Sequence, residues 1–232
     1  MLYPVPAVMV SCGRPEERPN IITVAWAGTV CSSPAMVSIS VRKERYSYDI
    51  LKETGEFVIN LITRDLTYAT DFCGVRSGRD VDKFAQMHLT PLPSQHISAP
   101  GIAESPVNLE CKVTQVIPLG SHDMFLAEVL GVTVDEKYMD ENGKFHLNDA
   151  GLVAYSHGEY FELGEKLGKF GYSVAKKQVA KTESVTKSAK PSGAGKKAAS
   201  AENRTASKTE AGNRRKSASK TGSADKQKSR RK

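Results

Sequence analysis

The chain of 232 residues has one tryptophan and four cysteines, and the cysteines, Cys12, Cys31, Cys73 and Cys111, form no C-x-x-C pair. That spacing argues against a zinc ribbon or a disulfide framework. It predicts reduced, half-buried thiols, with Cys31 and Cys73 the two that a redox role would use. No apolar run approaches the ~20 residues of a membrane span, and the first residues show no basic leader with a long apolar stretch. A soluble cytoplasmic protein is the expectation. The histidines show no H-E-x-x-H spacing and the serines no G-x-S-x-G elbow, and neither G-x-G-x-x-G after the first strand nor G-x-x-x-x-G-K-[ST] occurs. These absences disfavour a zinc peptidase, a serine hydrolase, a Rossmann site and a P-loop.

What is present divides into two parts. Residues 1–172 carry 15 Lys and Arg against 22 Asp and Glu, a net of −7, whereas residues 173–232 carry 18 against 4, a net of +14. Stretches such as "KPSGAGKKAAS" and "NRRKSASKTGSADKQKSRRK" have too little apolar surface to offset the entropy of ordering a backbone. Residues 173–232 are therefore expected to be a disordered basic tail that attracts nucleic acid or other polyanions by counterion release, or that acts as a solubilising extension.

Within residues 1–172 the apolar pattern is that of strands. "PAVMVSCG", Ile21 to Gly28 and "EFVINLI" are short buried runs. In "MVSISVR" the apolar Val37, Ile39 and Val41 alternate with Ser38, Ser40 and Arg42, which turns hydroxyls and a guanidinium outward. "YDILKETG" reads as a short helix capped by Ser47 and stopped at Gly55; "RDLTYATDFCG" and "DVDKFAQM" read as two more. "VNLECKVTQVIPLG" and "MFLAEVLGVTVDE" predict a long hairpin whose loop holds His122, and "GLVAY" and "EYFELG" complete about seven strands. The class is mostly β: an antiparallel barrel with short flanking helices.

Two segments place cations and hydroxyls where a helix begins. "SISVRKERYS" offers Arg42, Lys43, Arg45 and Ser47, and "SGRDVDKF" offers Ser77, Arg79 and Lys83. Helix N-termini and charge-assisted donors suit a phosphate.

Taken in order, "NIITVAWAGTVCSSPAMVSISVRKERYSYDIL", "GEFVINL", "SGRDVDKF", "ESPVNLECKV", "GSHDMFLAEV" and "HGEYFELGEKLGKFGYSV" resemble the flavin reductase-like family, the FMN-binding split barrels that include flavoredoxin-type proteins. The resemblance spans residue 1 to about 176 and leaves the tail outside. It implies a six-stranded split barrel, a homodimer and one FMN per subunit. On that resemblance Thr23, Val24, Ala25, Trp26 and Ala27 line the isoalloxazine, with the indole packed on the ring or supporting the strand from behind. Thr29, Cys31 and Ser32 serve the ribityl side. Arg42, Lys43, Arg45, Ser47, Ser77 and Lys83 hold the 5′-phosphate. On the same resemblance His122 is the catalytic residue on the nicotinamide side, the alternative being a turn histidine bonded to Asp123. His157 and Tyr160 flank the flavin edge or the subunit interface.

The function this implies is an FMN-dependent oxidoreductase, either an NAD(P)H-dependent flavin reductase with NAD(P)H as co-substrate or a flavoredoxin-like electron carrier. The cofactor then carries the chemistry, which accounts for the missing triad. Two alternatives stand beside it: a non-catalytic flavin-binding protein tethered to nucleic acid by its tail, and a pyridoxamine-phosphate-oxidase-type enzyme.

Overall fold

The computed structural model describes residues 2–175; the basic tail expected from residue 173 lies almost entirely outside the described residues. In chain order the elements are β1 (Val5–Pro6), β2 (Val8–Cys12), β3 (Asn20–Val24), β4 (Ala27–Ser32), β5 (Ala35–Arg42), α1 (Tyr46–Thr54), β6 (Glu56–Leu61), α2 (Thr67–Val75) and α3 (Lys83–Gln86). They continue with β7 (Pro91–Leu92), β8 (Gly101–Ile102), β9 (Val107–Pro118), β10 (His122–Val134), β11 (Val153–Ser156) and β12 (Glu159–Glu162).

Seven strands form the main sheet in the order β3-β2-β6-β9-β10-β5-β4, every pair antiparallel. The two ends of that order, β3 and β4, are joined by Ala25 and Trp26 alone. Three virtual bonds reach about 10 Å, less than the width of seven strands spaced ~4.8 Å apart. The sheet must therefore curl back on itself, and the β4–β5 ladder runs on into the joint, where the Ser40 amide donates to the Trp26 carbonyl at 2.8 Å. The result is a half-barrel of the split-barrel type. The stretch from Ile21 to Gly28, expected as one strand, is thus divided at Ala25 and Trp26 between β3 and β4.

Position along the barrel decides burial. All five residues of β2 are buried, because alternate side chains serve two cores. Val8, Val10 and Cys12 join Ile39, Phe57 and Phe125 inside the barrel with Ile50 and Leu51 of α1. Met9 points the other way, to Ile21, Ile62, α2 and Phe84 of α3. A strand buried on both faces reads as a continuous apolar run, as β2 does. In β5 the inward Val37, Ile39 and Val41 are buried and the residues between them are not. Asn60, buried in β6, locks the layers together: its amide donates to the Met9 carbonyl at 2.8 Å and its Oδ1 accepts from the Ile102 amide at 2.9 Å.

A small sheet, β1-β11-β12, lies outside the main one. Gly55 ends α1 as expected, in the left-handed conformation at φ 64° with its amide on the Leu51 carbonyl. No described helix is long and apolar enough to cross a membrane.

Candidate functional site

The loop after β5 enters α1 through Arg45, whose backbone is extended (φ −71°, ψ 136°) and whose side chain caps nothing. Ser47, expected as the cap, is instead a buried residue within the first turn of α1, and its hydroxyl accepts from Asn20 Nδ2 at 2.7 Å. The first-turn amides of α1 consequently have no side-chain acceptor. They open beside a cavity of about 90 Å³ lined by Arg45, Ser47, Arg76, Ser77 and Lys83, with Glu44 the single carboxylate among the lining residues.

The opposite wall is held by Gly78. A Cβ there would come within 2.8 Å of the Tyr46 ring and would strike the Asn20 amide. This close approach lets the Ser77 loop lie against α1. The Arg18 guanidinium donates to the Gly78 carbonyl at 2.9 Å, and the Arg79 guanidinium lies 5.8 Å from the centre of the Tyr46 ring.

Lys83 is the most constrained member. It is 3% exposed, and its ammonium donates to the Ile21 carbonyl at 2.6 Å and the Cys73 carbonyl at 2.7 Å. It therefore ties β3 to the last turn of α2, where Arg45 also reaches the Gly74 carbonyl at 3.3 Å. Cations suit the free carbonyls of a helix C-terminus. An ammonium has three donors, which leaves one for the cavity. Burial pushes the Lys83 pKa down to about 8, and Arg45 adds repulsion. Among the described residues no carboxylate forms an ion pair with Lys83. A buried cation without a counterion costs free energy unless an anion joins it.

A groove of about 160 Å³ adjoins the cavity, with Arg45 and Ile22 common to both. Its walls are Thr23, Val24, Ala25 and Trp26 on one side and Ser40, Arg42 and His122 on the other. Ala25 leaves the backbone open to a ligand, and Val24 turns its own side chain into the barrel core. The single tryptophan is not packed behind the strand: the residue is 47% exposed. The break between β3 and β4 throws the ring out of the sheet, 6.4 Å from the Tyr3 ring. Thr23 is fixed by its hydroxyl, which donates to the Thr70 carbonyl.

His122 is not in the hairpin loop. It opens β10 opposite Arg42, and its Nδ1 lies 2.9 Å from the Ser121 hydroxyl, not on Asp123. Asp123 faces the other way and accepts the Tyr48 hydroxyl at 2.6 Å, with Lys43 at 3.4 Å. Tyr48 holds the Asp123 carboxyl below its ordinary range.

The structure therefore brings together Thr23, Val24, Ala25, Trp26, Arg42, Arg45, Ser47, Ser77, Lys83 and His122. Lys43 is drawn to Asp123 instead. Ala27 packs against the barrel core, and Thr29, Cys31 and Ser32 lie along β4, the free edge of the sheet. His157 sits in the β11–β12 turn at φ 51°, and Tyr160 donates to Asp71 at 3.4 Å. Burial lifts the thiols of Cys12 and Cys73 to about 11 and that of Cys111 to about 12. Cys73 is thus a neutral core thiol and not a reactive one. Asn20 and Arg76, which no sequence motif marks, also line the cavity. Arg76 precedes Ser77 directly, so the basic pattern extended one residue further; Asn20 acts through a contact 27 positions away, which no local pattern carries.

The lowered Lys83 pKa fixes a pH dependence. Between pH 8 and the unfolded value of 10.5 the unfolded chain holds more protons than the folded one, so stability rises with pH across that window. Burial of the charged form opposes folding below pH 8 by on the order of 3 kcal/mol. In urea unfolding of the ligand-free protein from pH 7 to 10, the wild type should gain stability relative to Lys83→Met. A difference that does not change with pH would show that the ammonium is hydrated.

The model of the flavin reductase like domain matches residues 1–164. Flavoredoxin of Desulfovibrio vulgaris (Miyazaki F) shares 34% identity at a TM-score of 0.70, with 75% of this chain and 95% of that one covered. Flavoredoxin from Methanosarcina acetivorans has the same fold at 24% identity and a TM-score of 0.67, with 75% and 95% covered. An uncharacterized protein of Archaeoglobus fulgidus is 31% identical over 160 residues, 69% of this chain and 88% of its own length. The chain, with a cation-lined cavity and a groove at the closure of its curled sheet, belongs to the flavin reductase like domain family.

Proposed function

We propose that the protein is an FMN-binding oxidoreductase in which the cavity at α1 holds the 5′-phosphate and the groove along Thr23–Trp26 holds the isoalloxazine. The observation that carries this reading is Lys83: a buried ammonium beside Arg45, with no carboxylate partner among the described residues and one donor to spare. A phosphate supplies the missing negative charge, and Arg45, Arg76, Ser77 and the first-turn amides of α1 supply further donors. The protein named as an FMN-binding protein from Thermus thermophilus shares the fold at a TM-score of 0.62.

Bound FMN would supply a ring that takes hydride from a nicotinamide and passes electrons to an acceptor. The chain positions it. Thr23 and Ala25 set the depth of the groove, Trp26 walls its side, and His122 with Arg42 closes the far end. His122, placed across the groove from Ala25, is assigned to orienting the nicotinamide. A homodimer is supported by β4, an edge strand that leaves Val30 49% exposed.

A visible spectrum taken after purification with added FMN, then after anaerobic NADH or NADPH, tests the reading. Bleaching by a nicotinamide establishes the reductase and names the donor; a bound spectrum that persists favours a carrier reduced by a protein; no bound flavin refutes the assignment. Lys83→Met should weaken FMN by about 10- to 150-fold, the 1.5–3 kcal/mol of a charge-assisted hydrogen bond. In the wild type the affinity should fall as pH rises through about 8, because the free protein then loses the Lys83 proton that the phosphate requires. That slope should vanish in Lys83→Met when dissociation constants are measured by flavin fluorescence. His122→Ala should lower nicotinamide-dependent flavin reduction by roughly tenfold or more while FMN affinity is kept; an equal loss of both would make His122 structural.

The charge of residues 173–232 favours a second role, attachment to a polyanion. Full-length protein should bind duplex DNA with an affinity that falls steeply between 50 and 200 mM salt, and truncation after Tyr172 should abolish it. Unchanged binding after truncation would end that reading.

A further inference from the structure

Adjoining the groove lies an open depression of about 260 Å³ that shares Thr23, Ala25 and Trp26 with it and is otherwise lined by residues the cofactor assignment does not use. Four aromatic residues wall it: Tyr3 before β1, Trp26 between β3 and β4, and Tyr155 and Tyr160, paired across the β11–β12 hairpin. The rings meet as a connected set. Tyr3 lies 6.4 Å from Trp26 and 6.2 Å from Tyr155, and Tyr155 lies 5.5 Å from Tyr160, edge to face. The floor is small: Ala7, Ala25 and Gly74. Four aromatic side chains around a shallow wet depression keep apolar surface in water that a ligand would cover.

The polar groups define the ligand further. No lysine, arginine, aspartate or glutamate lines the depression, in contrast to the cation-lined cavity at α1. An anionic nucleotide finds no counter-charge there. The Thr23 hydroxyl is spent on Thr70 and that of Tyr160 on Asp71. The remaining side-chain donors are the hydroxyls of Tyr3 and Tyr155 and the indole N–H. They suit an uncharged planar ring whose own polar atoms are acceptors.

We propose that this depression is the acceptor subsite and takes a quinone, a neutral planar ring bearing carbonyl oxygens, beside the flavin groove with which it shares Thr23, Ala25 and Trp26. The inference rests on the FMN reading above. The reaction balances with a nicotinamide as donor: one hydride from NAD(P)H and one solvent proton supply the two electrons and two protons that turn both quinone C=O bonds into C–OH, leaving NAD(P)+.

The sole tryptophan is the reporter. With the FMN-loaded, oxidised protein and no nicotinamide, 1,4-naphthoquinone should quench Trp26 fluorescence saturably, and the anionic 1,2-naphthoquinone-4-sulfonate should bind roughly tenfold more weakly. Tyr155→Leu and, as a variant remote from the core, Tyr3→Leu should each raise the naphthoquinone dissociation constant by roughly fivefold to tenfold while the FMN constant stays within twofold. Loss of flavin from the wild type would be seen first in the visible spectrum and would overturn the FMN reading. Retained flavin with unsaturable quenching, or with a constant unmoved in both tyrosine variants, would overturn the quinone subsite alone.

Discussion

Two residues between β3 and β4 set the shape of the molecule. Because Ala25 and Trp26 alone join strands at opposite ends of a seven-strand order, an open sheet is not available to the chain. Closure leaves the indole exposed and opens the groove that Thr23, Ala25, Arg42 and His122 share. The same break makes β4 a free edge. The site thus follows from how the barrel closes, before any catalytic side chain is considered.

Lys83 adds the electrostatic half. Its ammonium joins β3 to the end of α2 and lies next to Arg45. Such an arrangement is expensive in the ligand-free protein, where two cations share a small cavity with partial desolvation. It becomes favourable when an anion is bound, so part of the anion's binding free energy stabilises the fold. Ser47, Asn20 and Gly78 keep the cavity small and its donors fixed, which is the preorganisation a phosphate site needs.

Much of this was legible in the sequence where local pattern carries it. The alternation in "MVSISVR" gave β5 its buried and open faces, "YDILKETG" marked α1 and its glycine stop, and one cation from each of "SISVRKERYS" and "SGRDVDKF", Arg45 and Lys83, lines the cavity at α1. What failed depended on contacts distant in sequence. Nothing local says that Ile21 to Gly28 must break, since the break is imposed by closure of the sheet, and the exposure of Trp26 follows from that break. Ser47 has the right residue type for a cap, but Asn20 claims its hydroxyl. Lys43 looks equivalent to Arg42 and Arg45 along the chain, yet the buried carboxylate of Asp123 takes it. The aromatic depression was unreadable because its four rings come from three segments far apart in the chain, Tyr3, Trp26 and the β11–β12 hairpin.

The central claim is that the protein recognises a phosphate-bearing flavin through the cations gathered at α1. The dissociation constants of FMN and riboflavin, which differ by that phosphate alone, test it most directly at pH 7 and low salt. The account predicts that FMN binds tighter by about two orders of magnitude, the sum of a few charge-assisted hydrogen bonds less their desolvation. Equal affinities for the two flavins would contradict it and would place the cofactor away from Lys83 and Arg45.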